Sequence, residues 1–223
     1  MSKKQYAIIG LGRFGHWVAR TLAETGCEVM AMDRDEEKVK AVSEFITYAM
    51  VIDAMDEKAL RAAGIQNVDM AIVSIGENIE ANIIVVMLLK EIGVKNIIAK
   101  AVTPLHGKVL DHLKVNRVVY PERDMAIRVA HSLVRPGIVE QLELSPEYSI
   151  VEIAAPESLV GKALKDSELR SRYEVNLIAI KRGSDNLSGW NVNPLPSDVI
   201  RKGDLLVLVG SNKALERFEK LPS

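Results

Sequence analysis

Short unbroken apolar runs alternate with longer amphipathic stretches along the first 134 residues of the chain. Tyr6-Ala7-Ile8-Ile9 is one such run, preceded by Lys3 and Lys4 and closed by a glycine, and it predicts a buried strand. Arg13 to Thr25 follows with helical spacing. Trp17 or Val18, Leu22 and Thr25 share one side, and Gly26 provides the stop. The alternation continues with strands at Glu28 to Met32, Thr47 to Ile52, Met70 to Ser74, Asn96 to Lys100 and Arg117 to Val119. Helices are expected between them at Glu36 to Glu44, Glu57 to Ala63, Ile79 to Ile92 and Leu105 to Leu113, and after them at Glu122 to Val134. Strands that are apolar throughout, not alternating, are the mark of a parallel sheet covered on both faces. Strand-helix repetition of this kind predicts a doubly wound α/β sheet of Rossmann type, with strand order 3-2-1-4-5-6.

The pattern changes after Arg135-Pro136-Gly137. From Ile138 onward the predicted strands are shorter and two-periodic, at Ser149 to Ala154, Val175 to Lys181 and Leu205 to Val209. Turn signals fall at Arg182-Gly183-Ser184-Asp185 and Arg201-Lys202-Gly203-Asp204, and an amphipathic helix, Asn212 to Leu221, closes the chain. The expected division is therefore 1–137, a nucleotide-type domain with its trailing helix, and 138–223, a second, small α+β domain.

Composition narrows the functional classes. The 29 Lys and Arg balance 30 Asp and Glu, which argues against a chain that coats nucleic acid or membrane by bulk charge. The longest apolar run, Ile83 to Leu89, is far short of the roughly 20 residues a spanning helix needs. Arg13 interrupts the apolar N-terminal stretch too early for a secretion signal. The single cysteine, Cys27, has no internal disulfide partner, so a cytosolic chain is expected. The four histidines lack zinc spacing, and His106 and His112 do not share a helix face. Met30, Met32, Met50, Met55, Met70 and Met87 read as core filler, Cys27 as a buried small residue, and Trp17 as an interface or core residue.

The chemistry concentrates at the first turn. Gly10, Gly12 and Gly15 form G-x-G-x-x-G between the first strand and the first helix. Gly10 permits the tight turn, Gly12 leaves the backbone open to a phosphate, and Gly15 lets helix and strand approach. Free N–H groups at that helix start favour an anion. Asp33 ends the second strand, where a carboxylate accepts hydrogen bonds from ribose hydroxyls and disfavours a 2′-phosphate; Arg34 beside it weakens that discrimination. Asp53-Ala54, at the end of the third strand, is placed either to meet an adenine edge or to cap the next helix. Phe14 in the glycine turn, with Ile75 and Gly76 after the fourth strand, completes the candidate nucleotide-binding set. Arg13 is an oddity, because a cation in the first helical turn opposes the helix dipole. Either an anionic ligand offsets it or the side chain snorkels to solvent. An oxidoreductase on this fold needs an acid, base or electrophile facing the nicotinamide. The last histidine is His131, and the C-terminal segment offers no nucleophile–base pair and no metal cluster, so sensing is favoured over hydride transfer.

Gly10-Leu11-Gly12-Arg13-Phe14-Gly15, Asp33, Tyr120-Pro121-Glu122-Arg123-Asp124-Met125 and Ser149-Ile150-Val151-Glu152 together resemble the RCK proteins. These are the cytosolic regulatory subunits of bacterial Ktr/Trk-type potassium transporters, and the likeness is to the KtrA subgroup. It extends over essentially the whole chain. The resemblance implies an octameric ring built from dimers, docked on an integral-membrane potassium-translocating subunit at the inner face of the cell membrane. It implies ATP or ADP in the N-terminal lobe, with NAD or NADH as the alternative seen in Trk-type regulators. Gly10, Gly12 and Gly15 would then line the phosphates and Asp33 would hold the ribose. Arg13 would reach the terminal phosphate in a paired subunit, and Lys100 would sit at the phosphate end unless it is only a charged strand terminus. Glu122 would hold Mg²⁺ or Ca²⁺ unless it serves only the helix dipole. Leu169, Arg170, Asn176 and Pro194 resemble positions where some relatives bind cyclic di-AMP at a dimer interface, and they read equally as an ordinary dimer interface.

Overall fold

A computed structural model of the chain describes residues 4–134, 138–182 and 189–221. Contacts divide it into two compact units, Met1–Asp124 and Met125–Ser223. The boundary expected after residue 137, the helix stop at 135–137 and most of the turn at 182–185 lie at or within residues outside those described.

The first unit contains β1 (Gln5–Ile9), α1 (Arg13–Glu24), β2 (Glu28–Asp33), α2 (Glu36–Ser43), β3 (Tyr48–Val51), α3 (Glu57–Ala62), β4 (Met70–Val73), α4 (Ile79–Ile92), β5 (Ile97–Lys100), α5 (Pro104–His112) and β6 (Arg117–Val119). The strands form one parallel sheet in the order β3-β2-β1-β4-β5-β6, as the apolar pattern predicts. In the middle of the sheet Ile8 pairs with Ala31 on one side and Ile72 on the other. Side chains alternate between faces. Ala7 and Ile9 enter a core with Val73, Val85, Leu89 and Ile97, while Ile8 joins Ala19, Val29, Val39 and Val42 on the opposite face. Helices cover both faces, so strands need apolar residues at every position.

Helix starts follow local chemistry. Asp35 caps α2, Asn78 caps α4 and Thr103 caps α5, each side chain accepting a backbone N–H of the first turn. The α4 helix ends on Gly93 in the left-handed conformation, at φ 96°. Of its length, Val85, Val86 and Leu89 are fully buried, each worth about 1.5–3 kcal/mol of transfer free energy.

From α6 (Pro121–Val134) the chain enters the second unit: β7 (Ile138–Ser145), β8 (Tyr148–Ala154), β9 (Val175–Lys181), β10 (Trp190–Asn191), β11 (Leu205–Ser211) and α7 (Asn212–Glu219). Its antiparallel sheet has the order β10-β9-β11-β8-β7. Alternate residues of β8 and β11 point into a separate core, where Val151, Ile153, Leu206 and Leu208 meet Leu215 and Phe218 of α7. Ser211 caps α7 through Ala214 N–H at 3.2 Å.

Several expectations change. The β7 strand was not foreseen. It lies at the sheet edge, and Leu142 and Leu144, which alternate with polar residues, are exposed. Among the described methionines only Met32 is fully buried. Met55 and Met87 are exposed, and Met30, Met50 and Met70 are half-buried. Cys27 is half-buried rather than buried. Trp17 is 62% exposed, which places it outside the core of its own unit. No helix among the described residues is long and apolar enough to cross a membrane.

Candidate functional site

The strand order reverses between β1 and β4, and doubly wound sheets open a crevice at that switch point, beyond the carboxyl ends of the strands. A cavity of about 330 Å³ lies there. Its wall takes Ile9 from the end of β1, Asp33 from the end of β2, Ile52 just after β3, Ser74 just after β4 and Lys100 from the end of β5. Of the residues proposed from the sequence, Gly10, Gly12, Arg13, Phe14, Asp33 and Arg34 line one part. Asp53, Ala54, Ile75, Gly76, Lys100 and Glu122 line the rest. Gly15 does not line the cavity.

The three glycines do different work. Gly10 adopts φ +93°, which excludes most side chains. A Cβ on Gly15 would sit 1.9 Å from the Gly10 carbonyl oxygen, so this position is required for helix–strand packing. A Cβ on Gly12 would meet nothing within 4 Å. Nothing inside the chain demands glycine there, and its missing side chain leaves the cavity wall open. Gly12 is also the N-cap of α1 and gives that helix no side-chain cap, and no acidic residue lies in the first turn. The N–H groups at that start are available to an anion. Arg13, the first helical residue, is exposed at the cavity.

Asp33 is held firmly. One carboxylate oxygen accepts Leu11 N–H at 2.7 Å and the other accepts Asp35 N–H at 2.9 Å. It therefore ties the glycine turn to the end of β2. Asp53 accepts Met55 N–H at 2.9 Å, while the cap of α3 is Asp56, which accepts from Lys58 and Ala59. Asp53 therefore does not cap the helix, and it stands on the cavity wall.

At the far end, Lys100 is buried with its side chain 11% exposed, and its Nζ lies 2.5 Å from Glu122 Oε1. The Glu122 carboxyl is held below the usual carboxylate range. The Lys100 hydrogen bond is the main cause, partial burial opposes it, and the residue's own backbone and the charges of Lys100 and Arg13 add to it. Gly76 makes room for this lysine, since a Cβ there would lie 3.1 Å from Lys100 Nζ. Among the described residues no group of three or more His, Cys, Asp or Glu is placed to hold a metal ion. A cation at Glu122 would need further oxygens from a bound phosphate.

The sequence reading missed Lys38, Ser74, Asn78 and Val102 on the cavity wall. Asn78 was visible as a capping residue, whereas Lys38 comes to the crevice only through the packing of α2. Among the described residues Ser74 Oγ is buried and has no hydrogen-bond partner. In the second unit Leu169 belongs to the core, 8% exposed. Arg170 donates from Nε to Asn176 Oδ1 at 2.6 Å, both residues being exposed, and Pro194 is half-buried.

A doubly wound sheet with an open, phosphate-type crevice, followed by a small antiparallel unit, defines a two-part protein built on a nucleotide-binding fold. Residues 6–121 match the TrkA-N domain and residues 148–223 the TrkA-C domain. The chain belongs to the Ktr/Trk family of RCK-domain proteins. It is 45% identical over 218 residues to Ktr system potassium uptake protein C of Bacillus subtilis (strain 168), covering 98% of this chain and 97% of that protein. It is 40% identical over 219 residues to Ktr system potassium uptake protein A of the same organism, covering 98% and 97%. The fold also resembles a solved GsuK channel bound to NAD, with TM-score 0.62 and 17% identity over 100% of this chain. The likeness spans only 40% of that channel chain and is one of fold.

Proposed function

We propose that the chain is a nucleotide-sensing regulatory subunit of a potassium-uptake system. Residues 1–137 serve as the nucleotide lobe and 138–223 as the regulatory and dimerisation lobe. ATP and ADP occupy the switch-point crevice, and the difference between them changes the shape of a ring of copies docked on a membrane potassium-translocating subunit at its cytoplasmic side. The observation that carries this reading is the make-up of the crevice. An uncapped helix start beside the open Gly12 supplies N–H donors, and the Lys100–Glu122 pair supplies charge beyond it. The relatives named as Ktr potassium uptake proteins support the physiological setting.

The site reads the ligand without consuming it. His106 is buried with both ring nitrogens engaged by Asn82 and Val102, so it is not a free base. A ligand shifts a conformational equilibrium only through contacts that differ between states. The terminal phosphate supplies such a difference. Arg13 of a paired copy and a Mg²⁺ or Ca²⁺ on Glu122 would offset its charge, and ADP would lack both contacts. For the C-terminal lobe the same reading adds cyclic di-AMP at Arg170, Asn176 and Pro194, with Leu169 contributing from the core.

Calorimetry with ATP, ADP, NAD⁺, NADH and cyclic di-AMP on the purified chain tests the proposal, together with solution mass with and without ATP. Micromolar ATP and ADP binding that weakens at least about tenfold in Asp33→Ala is expected, since that change removes the ribose acceptor and frees the Leu11 turn. Tight NAD(H) binding without ATP binding would move the chain to a dinucleotide-regulated role. No binding of any nucleotide would overturn the proposal.

A further inference from the structure

The buried polar pair Asn82 and His106 lies outside the cavity wall, yet its hydrogen bonds end on that wall. Asn82 is completely buried in the otherwise apolar α4 helix. Its Nδ2 donates to the Ile75 carbonyl at 2.6 Å and the Lys100 carbonyl at 3.2 Å. Its Oδ1 faces His106 Nε2 at 3.2 Å. His106 is 2% exposed, and its Nδ1 accepts Val102 N–H at 3.4 Å. Ile75, Lys100 and Val102, the three residues reached, all line the cavity.

We propose that Asn82 and His106 form a neutral brace that sets the Lys100 end of the crevice before a ligand arrives, making both of them positioning residues for nucleotide binding. The proposal rests on the nucleotide reading of the cavity. Its chemistry is constrained from both ends. An amide nitrogen committed to two carbonyls must turn its oxygen to the histidine, so His106 Nε2 must carry the proton. A backbone N–H aimed at Nδ1 requires that nitrogen to be bare. Only the neutral Nε2–H tautomer meets both demands, and burial further disfavours the charged ring, moving its pKa below the ordinary histidine value. The brace spans what the sheet alone leaves loose. Ile75 lies beyond the end of β4 and Lys100 is the last residue of β5, and one asparagine joins their carbonyls at the cavity. Positioning of this kind lowers the ordering cost of binding.

The test uses the full-length ¹⁵N-labelled chain, Asn82→Ala and His106→Gln, the latter keeping a side-chain amide in place of the imidazole. Long-range ¹H–¹⁵N spectra, assigned by the loss of signals in His106→Gln, should show a single Nε2–H tautomer for His106 between pH 6 and 8. Amide exchange at Val102, whose N–H the brace accepts, should accelerate about tenfold or more in Asn82→Ala, and ADP affinity should fall about tenfold. His106→Gln keeps a donor for Asn82 Oδ1 but loses the ring acceptor of Val102 N–H, so its ADP affinity should fall less than that of Asn82→Ala, by about threefold. An Nδ1–H or protonated ring at pH 7 would overturn the brace. So would an Asn82→Ala protein with a lowered unfolding temperature but native affinity and native exchange at Val102, which is the behaviour of a purely structural residue. If the native chain binds neither nucleotide, the functional reading of the crevice fails, and the imidazole spectrum and exchange rates then decide the brace by themselves.

Discussion

Lys100 and Glu122 meet at 2.5 Å across the end of the cavity, the lysine almost wholly buried and the glutamate largely in solvent. A buried ammonium needs a counter-charge, and the chain supplies one from the first turn of α6. The pair therefore completes the site electrostatically in the absence of any anion, and an incoming phosphate has to compete with Glu122 for the same lysine.

The first consequence concerns pH. The Glu122 carboxyl titrates below its ordinary range because it accepts the Lys100 hydrogen bond. Its folded value is lower than its unfolded one, so its contribution to stability is fully present above the ordinary pKa of about 4.3. That contribution is lost as pH falls through the folded value. Because the glutamate is mostly exposed, the amount is at most about 1 kcal/mol. Thermal unfolding of native and Glu122→Gln chains should show the variant lower at pH 6 and the two midpoints converging below about pH 4. A gap that persists unchanged to pH 3 would refute a pair of this kind.

The same substitution separates two ligand roles. With Glu122→Gln, Lys100 loses its internal competitor, so ADP binding should tighten by about two- to fivefold. The divalent-cation dependence of the ATP-bound state should disappear, because no other carboxylate cluster among the described residues can replace the lost ligand. Calorimetry with ATP and ADP, each with Mg²⁺, Ca²⁺ or chelator, measures both effects. An unchanged cation response would remove Glu122 from that role.

How much of this could be read from the residues follows from what each element buries. The parallel sheet and its order were legible because strands such as Met70–Val73 and Ile97–Lys100 are covered on both faces and are apolar at nearly every position. The β7 strand carries a weaker signal, a short alternation of Gln141, Leu142, Glu143 and Leu144 that stops at Ser145-Pro146, and its leucines face solvent on an edge. The glycine turn and Asp33 were legible as spacing around a strand–turn–helix, Lys100 and Glu122 came only from the family resemblance, and all but Gly15 of the proposed nucleotide set reach the cavity wall. Asp53 was ambiguous because two aspartates precede α3, and only coordinates show that Asp56 holds the cap. Ser74 and the Asn82–His106 pair were hidden because each is an isolated polar residue in or beside an apolar run. Their meaning depends on neighbours distant in the chain.

Arg13 is exposed at the cavity, at the first position of a helix with no acidic residue in its first turn. A cation there is unfavourable by about 0.3–1 kcal/mol until an anion approaches. If that anion is a terminal phosphate, Arg13→Ala should weaken ATP about tenfold and ADP less than about threefold, measured by calorimetry at fixed Mg²⁺. Without ligand the variant should stay within about 0.5 kcal/mol of the native chain, since the lost dipole penalty is set against the lost attraction to Glu122. Equal losses for the two nucleotides would remove its assigned γ-phosphate role.

Gly12 and Gly15 offer the sharpest separation of fold from function, because the motif contains both and the structure asks different things of them. Gly15→Ala drives a methyl to 1.9 Å from the Gly10 carbonyl oxygen and 2.7 Å from Ser74 Oγ. Relief requires moving α1 away from the sheet, so the variant should lose about 2–4 kcal/mol of stability and its nucleotide binding along with it. Gly12→Ala meets no atom of the chain within 4 Å, and Gly12 has φ −62° and ψ −178°, a conformation alanine adopts freely. Its unfolding free energy should stay within about 1 kcal/mol of native, the cost of alanine in place of glycine at an N-cap. Its new methyl occupies the approach to the uncapped N–H groups of α1, so ATP and ADP should both weaken by about tenfold or more. A Gly12→Ala chain that folds and binds nucleotide as the native one does would mean that no phosphate lies against this turn. The requirement for glycine at Gly10 and Gly15 would then be a matter of packing alone.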